Sequence, residues 1–133
     1  MSNNFIHTLD KSERICSKLI VNDLFERQSA SCVAFPIRVV YSLLPKHVGM
    51  ADNAILVSVP KKKFHHAVDR NRIKRQIREA YRMNKDLLTS TSKYGDEMLA
   101  MAFVCITDQP CSSETINKSM IKLLKKISNE ISK

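Results

Sequence analysis

Residues 61–82 read KKKFHHAVDRNRIKRQIREAYR, with nine Lys or Arg against two acidic residues, Asp69 and Glu79. This segment therefore carries +7 of the chain's formal net charge of +9, and the other 111 of the 133 residues carry only +2. A concentrated positive field attracts polyanions, and nucleic acid is the most common of them. The charge distribution predicts that this segment binds nucleic acid.

The same segment has the periodicity of an amphipathic helix that starts at Asp69 or Arg70. Its apolar side chains recur at helical spacing and predict a stripe that faces the core: Ile73, Ile77, Ala80, Tyr81 and Leu88. The cationic side chains fall on another face. A solvated surface is the alternative, but solvated helix faces mix both signs of charge. Arginine, which outnumbers lysine on this helix, is also the better bidentate phosphate ligand.

The rest of the chain alternates helical and extended patterns. The predicted elements are a helix from Ser17 to about Gln28, a strand over Val33–Leu44, a second strand over Ala54–Val59 paired antiparallel with the first, a buried strand over Met98–Ile106, and a helix from Ser112 or Ser113. Together they predict an α+β fold, a small mixed sheet of about four strands flanked by three helices. The strands on either side of the basic helix can form a βαβ crossover, for which a right hand is the physical default. We expect a flexible arm over residues 1–13 and one domain over residues 14–133.

Several classes of protein are disfavoured by what the sequence lacks. Its four cysteines show neither C-x-x-C pairing nor metal-ligand spacing, and two glycines cannot build a phosphate-binding loop. No apolar run approaches the roughly 18 to 20 residues that span a bilayer, and the first residues lack a secretory pattern. We therefore expect a cytoplasmic protein with reduced thiols, no membrane association and no catalytic side chains of its own.

The motif from Val68 to Arg75, VDRNRIKR, is preceded by paired lysines and followed by Arg78-Glu79-Ala80-Tyr81. It closely resembles the signature of the bacterial ribonuclease P protein subunit. Arg14-Ile15, and a helix that ends in Leu24-Phe25, are similar to the family's N-terminal element. The last strand and helix also fall where the family has them.

The resemblance implies a left-handed crossover, in place of the default, and a large catalytic RNA as partner. That RNA would carry out Mg²⁺-dependent endonucleolytic removal of the 5′ leader from precursor tRNA. Mg²⁺ would be bound mainly by the RNA, with no organic cofactor and no obligate protein partner. The protein would be a subunit of this hydrolase and would bind both the catalytic RNA and the leader.

The residues that would bind the catalytic RNA lie on the basic segment: Lys61, Lys62, Lys63, Arg70, Asn71, Arg72, Lys74, Arg75, Arg78 and Arg82. Asn71 could instead fix the turn into the helix. A cleft between the N-terminal helix and the sheet would hold the leader, lined by Val21, Phe25, Phe35 and Tyr41. Phe25 could equally be a core residue, and Val21 stands where the family usually has an aromatic side chain.

Two other functions are compatible with the residues themselves. One is a non-enzymatic RNA-binding protein, such as a small ribosomal protein or an RNA chaperone. The other is a protein-interaction module whose charges are merely solvated, which predicts no salt-dependent binding of RNA.

Overall fold

The computed structural model describes residues 11–15, 18–26, 30–46, 49–91 and 96–131, with the side chains of 89–91 excepted. The helices are α1 (Lys18–Glu26), α2 (Ala67–Asn84) and α3 (Ser113–Ile131). The strands are β1 (Ala30–Ala34), β2 (Ile37–Pro45), β3 (Asn53–Ser58) and β4 (Glu97–Cys105), and 3-10 turns cover Lys11–Glu13 and Lys85–Thr91. The described residues thus confirm the predicted α+β fold of three helices and a four-stranded sheet.

The strands lie in the order β1-β2-β4-β3. β4 is antiparallel to β2 and parallel to β3, so the sheet is mixed. Because α2 connects the parallel neighbours β3 and β4, the predicted βαβ crossover that carries the basic helix is confirmed. Its left hand stays a prediction.

The strand predicted over Val33–Leu44 is in fact a hairpin. β1 and β2 are antiparallel partners, with Ala34 opposite Ile37, and the turn between them contains Phe35 and Pro36. Proline lacks a backbone N–H and has a restricted φ, so the ladder is interrupted there. β1 begins at Ala30, three residues before the predicted start of the strand at Val33.

The predicted antiparallel pairing of the first two strands is also wrong. β3 pairs with β4 and not with β2, since β4 lies between them. From Met98 to Phe103 the side chains of β4 are all buried, on both faces of the sheet. The centre of a sheet covered on both faces is the position in which a strand of this composition buries most apolar surface.

Helices cover the two faces of the sheet. On one face α2 and α3 pack on a cluster that includes Tyr81 and Phe103, whose ring centroids are 5.9 Å apart. On the other face Ile20 and Leu24 of α1 pack against the alternate side chains of β4, such as Ala100. The two clusters follow from the alternation of side chains along each strand.

The ends of the helices differ slightly from their predicted positions. α2 starts at Ala67, at least two residues earlier than predicted. Four of the five predicted core side chains are buried in α2, and the fifth, Leu88, is buried in the 3-10 turn that follows it. α3 is capped as predicted, since the Thr115 backbone N–H donates to Ser112 Oγ at 3.1 Å. The predicted ends of the first helix at Ser17 and Gln28 lie outside the described residues.

Part of the predicted N-terminal arm contacts the domain. Glu13 accepts from Lys85 Nζ at 2.9 Å, and both side chains are largely buried. The Ala51 backbone N–H donates to the Ser12 carbonyl at 3.0 Å. The arm's first ten residues lie outside the described ranges.

Within the described ranges no helix is both long and apolar enough to cross a membrane.

Candidate nucleic-acid interface

The outer face of α2 is cationic and largely unpaired. Among the predicted RNA-binding residues, Asn71, Arg72, Arg75 and Arg78 are exposed and Lys74 is half-buried. These five side chains make neither hydrogen bonds nor ion pairs with the residues that the structure describes. Their donors are therefore directed to solvent, which leaves Asn71 available to a ligand and gives no support to a role in fixing the turn.

Arg82 differs from the other arginines of α2 because it is paired with Glu79. Its Nε donates to Glu79 Oε2 at 3.0 Å, and its Nη2 donates to Oε1. The hydrogen bond from Arg82 holds the pKa of the Glu79 carboxyl below its usual value. The charge that Arg82 offers to a polyanion is accordingly reduced, while Glu79 neutralises little of the remaining face.

Arg70 also has an intramolecular role. Its Nη1 donates to the carbonyl oxygens of Phe64 and His65, at 2.9 Å each. The Phe64 side chain is buried, and it follows the turn of exposed Lys61, Lys62 and Lys63 between β3 and α2. Arg70 thus ties the lysine turn to the first turn of the helix, in addition to the phosphate contact predicted for it.

Replacing Arg70 by alanine is expected to lower the free energy of unfolding by about 1 kcal/mol. A buried hydrogen bond to a charged group contributes about 1.5 to 3 kcal/mol, and the partial exposure of this site reduces that. Denaturant unfolding measures the loss, and Arg78→Ala is the matched control because Arg78 has no partner among the described residues. Equal free energies of unfolding for the two variants would show that the hydrogen bonds of Arg70 do not stabilise the fold.

The opposite face of the sheet is only partly covered. α1 packs on β2 and β4, and beyond it a row of side chains crosses the sheet: Val33, Arg38, Val104 and Ser58 are consecutive cross-strand neighbours. Val33 is 51% exposed and Arg38 is exposed. We call this row the open strip; it consists of one cation between two valines, with a serine at its end.

Two of the predicted cleft aromatics are exposed. Phe25 of α1 is 48% exposed, one helical turn after half-buried Val21, and Phe35 in the β1–β2 turn is 68% exposed. The exposure of Phe25 disagrees with its interpretation as a core residue. Val21 packs on the cluster that contains Leu24 and Ala102, so only part of its side chain is accessible to a ligand in the cleft.

Tyr41 does not belong to this cleft. Its side chain is only 7% exposed and lies in the cluster under α2 and α3, on the other face of the sheet from α1. The predicted grouping with Phe25 is wrong, because alternation along β2 places Tyr41 on the face of the sheet opposite α1. Burial, and the neighbouring Cys32, raise the pKa of Tyr41 to about 12.

This shift predicts a loss of stability at high pH. The unfolded chain releases the Tyr41 proton near pH 10 and the folded chain near 12, so the free energy of unfolding should fall as pH rises between these values. Denaturant unfolding at a series of pH values will measure it. In Tyr41→Phe the decline should be shallower than in the parent protein, and identical declines would contradict the assignment.

Val33, Arg38 and Val104 were not among the predicted site residues. Period-two alternation already assigned Arg38 and Val40 to one face of the strand. The direction of that face could not be read from the pattern, because both faces of the sheet carry a helix.

The described residues contain no cluster of three or more His, Cys, Asp or Glu side chains that could hold a metal ion.

The chain is similar to proteins of one family. A model of the family described as ribonuclease P matches residues 4–128. The ribonuclease P protein component of Porphyromonas gingivalis is 39% identical over 123 residues, which cover 92% of this chain and 88% of that protein.

Two solved structures from Staphylococcus aureus share the fold. Its RNase P protein superimposes with a TM-score of 0.66 at 20% identity, covering 88% of this chain and 96% of that one. A mutant of that protein with defective mRNA degradation activity gives a TM-score of 0.67 at 19% identity, covering 96% and 98%.

Proposed function

This chain belongs to the ribonuclease P protein family and is the protein subunit of that endonuclease, which processes precursor tRNA; from this premise we propose that α2 binds the catalytic RNA and that the open strip binds the 5′ leader of the precursor. Family membership favours this reading over a ribosomal protein or an RNA chaperone.

The observation that carries the proposal is the separation of the two surfaces. α2 packs on one face of the sheet, and the open strip and α1, which carries Phe25, lie on the other face. Phe35 is exposed in the turn that follows β1. Two RNA segments can therefore be held at the same time without competing for side chains. The sheet keeps them at a fixed relative position, which is what an accessory subunit needs in order to place a substrate on a catalytic RNA.

On α2, the contacts would be electrostatic. Arg72, Arg75 and Arg78 present planar guanidinium groups that can bind phosphate oxygens in a bidentate manner. Each phosphate that is neutralised releases counterions, so binding gains free energy at low salt. Contacts of this kind position the protein on the RNA without reading bases.

The open strip and the exposed rings of Phe25 and Phe35 would suit a single strand of RNA. Arg38 can pair with a phosphate, while the rings of Phe25 and Phe35 provide faces on which unpaired bases stack. Stacking tolerates any base, and this agrees with a subunit that must accept the leaders of many precursors.

The described residues of the α2 face do not fit a Mg²⁺ site. Mg²⁺ prefers carboxylate and other oxygen ligands, whereas this face consists of arginine, lysine and one asparagine, with Glu79 bound to Arg82. We therefore propose that the RNA binds the Mg²⁺ of the reaction. The protein would contribute positioning and charge neutralisation, and none of its side chains would attack or protonate the scissile bond.

Reconstitution tests the proposal. The purified protein is mixed with the RNA subunit and a leader-bearing tRNA precursor at limiting Mg²⁺. We expect accurate cleavage at the tRNA 5′ end to rise with protein concentration up to one equivalent per RNA. No stimulation, or stable binding only to ribosomal RNA, would overturn the assignment.

A further inference from the structure

α3 carries a stripe of lysines on its outer face: Lys118, Lys122, Lys125 and Lys126. All four are exposed, at spacings i, i+4, i+7 and i+8, so they lie on one side of the helix. The inner side of α3 is buried through Leu123, Leu124 and Ile127. At 1.5 Å per residue the stripe extends about 12 Å along the helix.

The middle of the stripe is not balanced by acidic side chains. The acidic residues of α3 are Glu114 and Glu130, near its two ends, and Lys122 and Lys125 have no acid within four positions in the sequence. Lys122 instead has a lysine four residues before it and another four residues after it. Like charges at this spacing destabilise a helix, whereas a merely solvated face usually mixes both signs. The lysines also form no ion pair with any described residue.

α3 lies beside α2 on the same face of the sheet. Gln76 Nε2 of α2 donates to the Cys111 carbonyl at 3.1 Å and to Ser113 Oγ at 3.2 Å, at the start of α3. One turn into α3, Asn84 Nδ2 donates to Asn117 Oδ1 at 2.7 Å. These bonds hold the two helices in one layer, so that the outer faces of both helices point away from the sheet and from the open strip.

We propose that the lysine stripe of α3 is a second phosphate-binding surface for the same folded RNA that α2 binds. This inference rests on the proposed function. A large folded RNA that contacts the arginines of α2 extends over the neighbouring helix, where lysines act as point charges towards its phosphates. The leader, on the opposite face of the sheet, is not the ligand of this surface.

The test uses Lys122→Gln/Lys125→Gln, since these two lysines lack a nearby acid. The affinity of the purified protein for the catalytic RNA is measured by titration at several salt concentrations. We expect the slope of log K against log salt to become shallower by about 1.5, because each of the two lost phosphate contacts contributes about 0.7 to 0.9. Lys122→Arg/Lys125→Arg should retain the parental slope, because it keeps both charges.

A matched control separates the surface from net charge. Lys11→Gln/Lys18→Gln removes the same charge from exposed sites outside the α2–α3 layer, and it should leave the slope unchanged. An equal change in control and stripe variants would overturn the proposal, as would an unchanged slope in the stripe variant.

Two further readouts distinguish this inference from the proposed function. In the reconstituted holoenzyme, the affinity ratio of precursors with and without a leader should be unchanged by the stripe variant; a changed ratio would place the stripe at the leader and refute the proposal. If substitutions of α2 arginines reduce the slope while the stripe variant does not, only the further inference fails. If neither does, the proposed function fails with it.

Discussion

Arg72→Ala/Arg75→Ala is expected to weaken binding of the catalytic RNA by tenfold or more at moderate salt and to reduce its salt slope by roughly 1.4 to 1.8 for two lost contacts. The estimate takes about 0.7 to 0.9 per lost phosphate contact. Both side chains are exposed on α2, and neither has a partner among the described residues, so the loss should come from the RNA and not from the fold. Salt-dependent titration with the RNA subunit measures both quantities.

The control for this experiment keeps the charge and removes the guanidinium. Arg72→Lys/Arg75→Lys should retain most of the slope, because both charges remain. Its affinity should fall because lysine lacks the bidentate geometry of arginine, but by less than in the alanine variant. Thermal unfolding should be nearly unchanged in both variants. A parental salt slope in the alanine variant would show that α2 does not contact RNA phosphates.

Phe25→Ala is expected to weaken the holoenzyme's binding of leader-bearing precursor by about 1 to 3 kcal/mol, a factor of roughly 5 to 150, if one base stacks on the ring. Binding of mature tRNA should change little, since it has no leader. Phe25 is 48% exposed, so its removal should not open a cavity in the core. The measurement is the ratio of the two dissociation constants in parent and variant.

Leu19→Ala is the matched control for Phe25. Leu19 is 69% exposed on the same helix, but the spacing of six residues places it about 120° around α1 from Phe25. Its removal should leave the ratio of dissociation constants unchanged. Equal losses for precursor and mature tRNA in Phe25→Ala, together with a lowered melting temperature, would show that the ring has a packing role only.

The cationic face of α2 could be predicted because helical spacing and charge are local properties. Ile73, Ile77 and Tyr81 recur every three or four residues, and a helix that buries them must present Arg72, Arg75 and Arg78 elsewhere. The capping of α3 and the burial of β4 on both faces are equally local. The family motif then indicated which RNA we propose as the ligand of this face.

The leader cleft was predicted less well, because it depends on contacts between distant segments. A strand's alternation separates Tyr41 from Val40, but it does not say which of the two faces meets α1. The hairpin at Pro36 brought Val33 next to Arg38, and the insertion of β4 between β2 and β3 added Val104 to the row. None of these neighbours is close in the sequence.

By itself, therefore, the sequence determined the three helices, their buried stripes, the buried strand β4 and the concentration of charge on one helix. Tertiary structure alone decided the strand order, the assignment of Phe25 and Tyr41 to opposite faces of the sheet, and the tie between Arg70 and the lysine turn. The physical reason is that hydrophobic burial is not directional: it specifies that a side chain is buried, while packing of the whole chain specifies against which neighbour.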